Sequence, residues 1–516
     1  MSLSSDTTAA RDIIDPEPAC LIEMAVAAGE GALAACGALC VATGERTSRS
    51  PQDSFIVSEP STADVIDWGP DCQPFESQRF DELWARVSAW LAEQDTFTSH
   101  VHAGTDAEQY LPIEIRTETA WHNLYAQLIF ARPSVFNPKA KEIWKILHAP
   151  GFVCEPGRDG SHSEGIVVIN FAKRRILVAG IAYAGDLRTA VFVAQNFLLP
   201  EKDILPMHCA AVSNDAGEVS MFFGHPETGK TALSADPAFD LIGDDAHGWS
   251  KDAVFNLEGG SDARCLNLDA EDQPLIFQAV RFGTILENVA LDPDSRQVDF
   301  SDTSLTDNGR ACYPLTHISR FRQTDTFYPR YVFFLVCDRI GVMPLVSVLS
   351  PAAAAYHFVS GYDGGKTAGT ISFSPCFGEE FFPRRVEDYA DLLMKRFRES
   401  ATKVFLINTG WCGASSDENR QRYPLSVTRQ VISAIHTGAL DNAELTTLLP
   451  LNLTIPKAVP GLDPDILNPA NSWRSREAYE QAAEQLAAEF TLNFARFEID
   501  EDIRLAGPVT GSQTAA

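Results

Sequence analysis

The chain has 516 residues, 45% of them hydrophobic, and a formal net charge of −29 at neutral pH. At about 100–200 residues per domain this length suggests two or three domains with ample core, and so acidic a balance excludes broad binding to nucleic-acid phosphates. The eleven cysteines contain no C-x-x-C pair, which excludes the usual zinc-site spacing and fits reduced thiols in a cytoplasmic protein.

The N-terminus, Met1-Ser-Leu-Ser-Ser-Asp6, lacks a basic region followed by an apolar run, so no secretory leader is expected. Cys20 to Val41 is apolar but carries Glu23, Glu30 and several glycines, which predicts amphipathic packing rather than a membrane span. Between residues 75 and 95, Phe80, Leu83, Trp84, Val87, Trp90 and Leu91 recur at helical spacing. Gly165–Ile169 and Arg175–Val178 read as strands, and a boundary falls at Leu198-Leu-Pro200. Beyond it, Glu218–Phe223 reads as a buried strand, Thr231–Ala235 as a helix start and Leu241-Ile242 as a second short strand. Tyr331–Val336 and Val404–Asn408 add buried strands, and residues 474–497 form an amphipathic helix. The mixture predicts an α/β protein with one domain over residues 1–200 and another over 201–516, the active site lying between them.

Chemistry concentrates in Gly224-His-Pro-Glu-Thr-Gly-Lys-Thr231, a G-x-x-x-x-G-K-T phosphate loop between the strand and the helix. Main-chain N–H groups of such a turn, here from Gly224 through Thr228 and Gly229, face inward and cradle phosphates. Lys230 neutralises phosphate charge and the Thr231 hydroxyl can ligate Mg2+. Asp244 and Asp245 follow the next strand, where carboxylates hold such an ion directly or through water. Two positions in the loop are unusual: Pro226 removes an N–H that could face phosphate, and Glu227 places a carboxylate beside anionic oxygens.

Several segments, in the same order along nearly the whole chain, resemble the ATP-dependent phosphoenolpyruvate carboxykinases. They are Arg49-Ser-Pro-Gln-Asp53, Glu118-Thr-Ala-Trp-His122, Tyr183-Ala-Gly185, Met207-His208, the run from Leu241 to Trp249, Leu286-Glu-Asn-Val289, the run from Tyr356 to Tyr362, and Asn408-Thr-Gly-Trp411. The resemblance implies a two-domain phosphoenolpyruvate-carboxykinase-like fold with the P-loop in the C-terminal domain. It also implies conversion of oxaloacetate and ATP to phosphoenolpyruvate, ADP and CO2, with Mg2+ on ATP and a second ion, usually Mn2+. Carried over by position, Arg49 would bind the substrate carboxylate or the transferring phosphoryl group, as a planar guanidinium suits. Arg310 would bridge substrate and γ-phosphate, and Tyr183 would line the pocket. His208 and Asp245 would take the second metal, and Arg422 and Thr428 would hold the nucleotide.

The chain departs from that family where the chemistry sits. Arg188-Thr189 stands in place of a Lys-Lys pair, so a nitrogen ligand of the second metal is replaced by a hydroxyl, a weaker and harder donor. Arg188 keeps a positive charge that could clamp another carboxylate or phosphate. Only Ile371-Ser372 separates Ala368-Gly-Thr370 from Phe373-Ser-Pro-Cys-Phe-Gly378, where the family carries a longer lid. A lid excludes water from reactive intermediates. These changes lead to the expectation of a divergent ATP-dependent kinase for a small anionic metabolite, with Asp244 or Glu227 as the base for an acceptor proton. Its alternatives are an authentic carboxykinase and a nucleotide-binding protein without turnover. No nucleic-acid or membrane partner is expected, and the assembly is expected to be a monomer or small homo-oligomer.

Overall fold

In the computed structural model the described residues are 10–139, 141–226, 228–236, 238–322, 328–364, 371–413 and 421–509. The chain divides into two compact units, Met1–Leu198 with Phe255–Asp325, and Leu199–Val254 with Thr326–Ala516. The single cut expected at residue 200 is therefore corrected: residues 255–325 belong with the first unit. Sheet pairing gives the reason. Leu39–Val41 lies parallel to Ile285–Glu287, which pairs with Arg310–Pro314, which in turn pairs with Gly260–Arg264. An early strand thus completes its hydrogen bonds only with a segment from beyond the expected boundary.

The first unit also holds an eight-stranded mixed sheet. Arg175–Ala179 pairs antiparallel with Ile166–Asn170 and parallel with Trp144–Ala149. Both strands expected in this region are present, shifted by a residue at their ends. The helix Ser77–Ala92 buries Phe80, Leu83, Val87 and Leu91, the apolar stripe that its spacing predicts. The Cys20–Val41 stretch forms the helix Pro18–Ala27 and the strands Gly31–Leu33 and Leu39–Val41. Among the described residues no helix is long and apolar enough to cross a membrane.

In the second unit, Val219–Gly224, Pro329–Val336 and Lys403–Asn408 run parallel at the centre of a mixed sheet. Phe222, Phe333 and Phe405 are in register across them, with ring centroids 5.1 and 5.8 Å apart. These strands are buried throughout or nearly so and carry continuous apolar runs, as strands covered on both faces do. The helix Arg476–Phe494 buries Tyr479, Ala483, Leu486, Ala487, Phe490 and Phe494, matching the amphipathic pattern over residues 474–497. Leu205–Ser213 pairs on one side with Val219–Gly224 and on the other with Asp240–Gly243 and Ala246–Trp249. That arrangement places the phosphate loop, His208 and Asp245 on neighbouring strand ends.

Candidate active site

The phosphate loop leaves the buried strand at Gly224 and enters the short helix Lys230–Ser234. Gly229 caps that helix at φ 89°, a left-handed conformation that disfavours side-chain-bearing residues. The Thr228 hydroxyl donates to the His225 carbonyl at 2.8 Å, closing the turn from within. Thr409 donates its own hydroxyl to the Thr228 carbonyl at 2.8 Å, and Arg422 Nε donates to the Thr409 carbonyl at 3.0 Å. Arg422 also lies 5.3 Å from the centroid of the Trp411 ring, within cation–π range. Arg422 is thereby tied to the loop through Thr409. Thr428 is buried on the helix Leu425–His436. Glu227 lies outside the described residues.

Lys230 meets His208 and Asp245 directly. Its ammonium donates to Asp245 Oδ1 at 2.6 Å and to His208 Nε2 at 3.1 Å, and His208 Nε2 is 2.9 Å from the same carboxylate oxygen. The other ring nitrogen, Nδ1, sits 2.9 Å from the Phe377 carbonyl. That contact orients the ring so that Nε2 faces the Lys230–Asp245 pair. Imidazole nitrogen and carboxylate oxygen form a donor pair suited to Mn2+ and acceptable to Mg2+. Among the described residues no group of His, Cys, Asp and Glu supplies a third such ligand, so phosphate or water oxygens would complete the shell. Thr231 and Asp244 are both half-buried at this end of the sheet.

In the first unit, Arg49 lies in a loop that is fastened on several sides. Ser50 N donates to Asp186 Oδ1 at 3.2 Å, and Asn308 Nδ2 donates to the Thr47 carbonyl at 2.9 Å. The same Asn308 amide reaches the Tyr183 hydroxyl at 3.3 Å. Tyr183 is buried, which pushes its phenol up to about 12, and its ring lies against Gly185, where a Cβ would collide with it. Thus the loop of Arg49, Tyr183 and the loop leading to Arg310 share one hydrogen-bonded frame. Arg188 has a protein partner: its guanidinium forks onto Glu258, through Nε to Oε1 and Nη2 to Oε2 at 2.8 Å. The clamp expected of Arg188 is therefore made with a buried carboxylate of the protein itself. Arg310 donates through Nε to Asp262 Oδ1 at 3.3 Å.

Sequence reasoning did not single out the acids beneath these arginines. Glu287 is fully buried, accepts from Ala184 N at 3.0 Å, and is pushed up to about 8 by desolvation, with Asp262 adding to the effect. Asp186 is likewise raised by burial, to about 7. Glu258 and Asp262 carry the pairs just described. The only signal was proximity: Asp186 follows Tyr183-Ala-Gly185, and Glu287 sits inside Leu286-Glu-Asn-Val289. Ahead of the short link, Ala368-Gly-Thr370 lies outside the described residues, whereas the link itself, Ile371-Ser372, is described, and Ser372–Phe373 pairs with Tyr362–Asp363 as a two-stranded ribbon.

A G-x-x-x-x-G-K-T turn on an α/β sheet, with a lysine, an imidazole and a carboxylate in mutual contact, is the arrangement expected of a nucleotide-dependent phosphotransferase. Residues 11–465 match the phosphoenolpyruvate carboxykinase family, and the chain belongs to that family. It is 44% identical over 500 residues to phosphoenolpyruvate carboxykinase (ATP) 2 of Moorella thermoacetica, covering 95% of each chain. It is 43% identical over 497 residues to phosphoenolpyruvate carboxykinase (ATP) of Bacillus subtilis, covering 94% of each. The Geobacillus kaustophilus protein of the same name is 43% identical over 502 residues, at 95% of each.

Proposed function

We propose that the chain is an ATP-dependent phosphoenolpyruvate carboxykinase. The observation that carries this reading is the contact cluster of Lys230, His208 and Asp245 beside the phosphate loop. It occurs in a chain 43–44% identical, over nearly its full length, to proteins bearing that name. These relatives favour this reading over a kinase for a different acceptor.

In the proposed reaction the C3–C4 bond of oxaloacetate breaks, CO2 leaves, and the bonding electrons remain as an enolate. The enolate oxygen then attacks the γ-phosphorus of ATP, and ADP departs with the bridging oxygen's electrons. Arg49 and Tyr183 hold the oxaloacetate, and Arg310 neutralises charge passing between enolate and phosphoryl group. Gly224, Thr228 and Gly229 offer main-chain contacts to the phosphates while Lys230 balances their charge. Arg422 and Thr428 hold the nucleotide. His208 and Asp245 would hold a Mn2+ ion, and Thr231 with Asp244 would serve Mg2+ on ATP. Such ions supply charge neutralisation at the phosphates and the enolate oxygen. No general base is required, so Asp244 and Glu227 have no proton to take in this reading.

One observation keeps a second reading in play. Arg188 is engaged by Glu258 and Thr189 follows it, so the pair differs in both charge availability and ligand type from two lysines. A kinase acting on another small anion, with Asp244 or Glu227 as base, is the form that reading takes. Incubating the purified chain with oxaloacetate, ATP, Mg2+ and Mn2+, and following phosphorus NMR, separates the two. Phosphoenolpyruvate appearing in step with ADP is the expected result. ADP formed only with another acceptor, and no phosphoenolpyruvate, would transfer the assignment to the second reading.

A further inference from the structure

We propose that Asp262 is the positioning residue for Arg310, with Tyr125 fixing Asp262 in turn. This rests on the placement of Arg310 at the acceptor in the proposed function, but the geometry that supports it is local. Gly260–Arg264 runs antiparallel to Arg310–Pro314, with Arg264 opposite Arg310 and Asp262 opposite Cys312. Asp262 is therefore a diagonal neighbour of Arg310, within reach of a long side chain.

One residue grips the guanidinium twice. Arg310 Nε donates to Asp262 Oδ1 at 3.3 Å, and Arg310 Nη2 donates to the main-chain carbonyl of Asp262. The second carboxylate oxygen, Oδ2, accepts from the Tyr125 hydroxyl at 3.1 Å. The Asp262 side chain is 1% exposed and that of Arg310 19%, so the anchor is buried while part of the guanidinium stays accessible. Tyr125 is fully buried on the helix Ala120–Ile129. The relay runs from a rigid helix through a buried carboxylate to a partly accessible cation.

The neighbourhood explains why such an anchor is needed. Arg188 is close enough to act electrostatically on Arg310, and Arg188 is itself forked onto Glu258. With each arginine committed to its own carboxylate, neither is drawn to the other's partner. An arginine without a tether would spread over many rotamers, and an anion that binds it must then restore a single one. Asp262 performs that ordering before an anion arrives. A purely structural counter-ion would stabilise the fold without affecting how an anion is met, and the two roles have different readouts.

The test is calorimetric titration of the whole chain with oxalate, the smallest dicarboxylate, and separately with MgATP. Asp262→Ala is expected to weaken oxalate binding by about tenfold, the scale for removing one charge-assisted hydrogen bond, with a smaller loss for MgATP, whose phosphates the loop and Lys230 also hold. Asp262→Asn keeps an acceptor for Arg310 Nε and is expected to stay within about threefold of the parent. Tyr125→Phe leaves the carboxylate but frees its orientation, so a smaller loss of oxalate affinity is expected. Parent-like oxalate affinity in Asp262→Ala overturns the proposal. So does an equal loss of oxalate and MgATP affinity in both Asp262 variants, or an absence of oxalate binding by the parent protein. Failure to form phosphoenolpyruvate, with this oxalate pattern intact, would remove the carboxykinase reading and leave the positioning role in place.

Discussion

The two units hold their site cations by different means. In the second unit Lys230 shares Asp245 with His208, and Asp245 is 28% exposed at its side chain. In the first unit Arg188 and Arg310 are tied to Glu258 and Asp262, whose side chains are 5% and 1% exposed. The cations are buried to similar degrees, but a carboxylate that keeps some solvent can give up its partner at less cost than one buried completely, which is left as an uncompensated charge. The phosphate-loop cluster is thus arranged so that its partners can be traded for phosphate or metal. The arginine cluster is arranged so that its geometry persists.

The largest expected effect breaks the exchangeable side. Lys230→Met removes the charge proposed to balance triphosphate oxygens, and turnover should fall on the order of 10^3-fold, the scale for losing a principal electrostatic contact in phosphoryl transfer. The fold should be nearly unaffected, because Asp245 retains solvent. Steady-state rates together with thermal unfolding check both parts. A large fall in stability with little change in turnover would mean that Lys230 is a framework residue after all.

The fixed side should respond in the opposite sense. Arg188→Met deprives buried Glu258 of its bidentate cation, and the expected cost is about 2–3 kcal/mol, at or below the usual scale because Arg188 keeps some solvent contact. Combining it with Glu258→Leu should restore most of that loss, since an apolar pair of similar volume needs no counter-charge. Urea unfolding of the parent, single and double variants measures it. Identical midpoints for all three would show that the pair contributes nothing to stability and that Arg188 is held ready for substrate.

This contrast also marks where the sequence could be read. Lys230 and Asp245 are legible because they lie in motifs whose spacing is set by a strand, a turn and a helix start, whereas His208 is reached only through the family resemblance. That resemblance places His208 and Asp245 on a common metal, and the structure puts the two side chains in contact. The fixed cluster was legible only by halves. Arg188 and Arg310 could be named, but Glu258 is 70 residues from the first and Asp262 48 from the second. The first pairing joins the helix Gly185–Leu198 to a loop and the second depends on the register of two strands, neither of which a local pattern encodes. The same non-local sheet defeated the domain boundary at residue 200, because Leu39–Val41 finds its partner at Ile285–Glu287. Glu227 and residues 365–370, just ahead of the short Ile371-Ser372 link, fall outside the described segments, so what they contribute rests on the amino-acid sequence alone.

The smallest effect sharpens the comparison through pH. Glu287 lies under the arginine cluster, and desolvation holds it protonated to about 8, against 4.5 for the ordinary side chain. The native state therefore keeps a proton that the unfolded chain releases at lower pH. Its stabilising contribution is full below about pH 4.5 and is lost as pH rises towards 8, at a limiting slope of about 1.4 kcal/mol per pH unit. Glu287→Gln removes the titration while preserving an oxygen to accept from Ala184 N, so its stability should vary less between pH 5 and 8 than that of the parent. Asp186, raised to about 7, keeps part of the slope in both proteins. Urea midpoints at intervals across this range test it. A variant whose pH dependence overlays that of the parent would mean that Glu287 is already ionised in the native state, with its charge balanced by Arg310 alone.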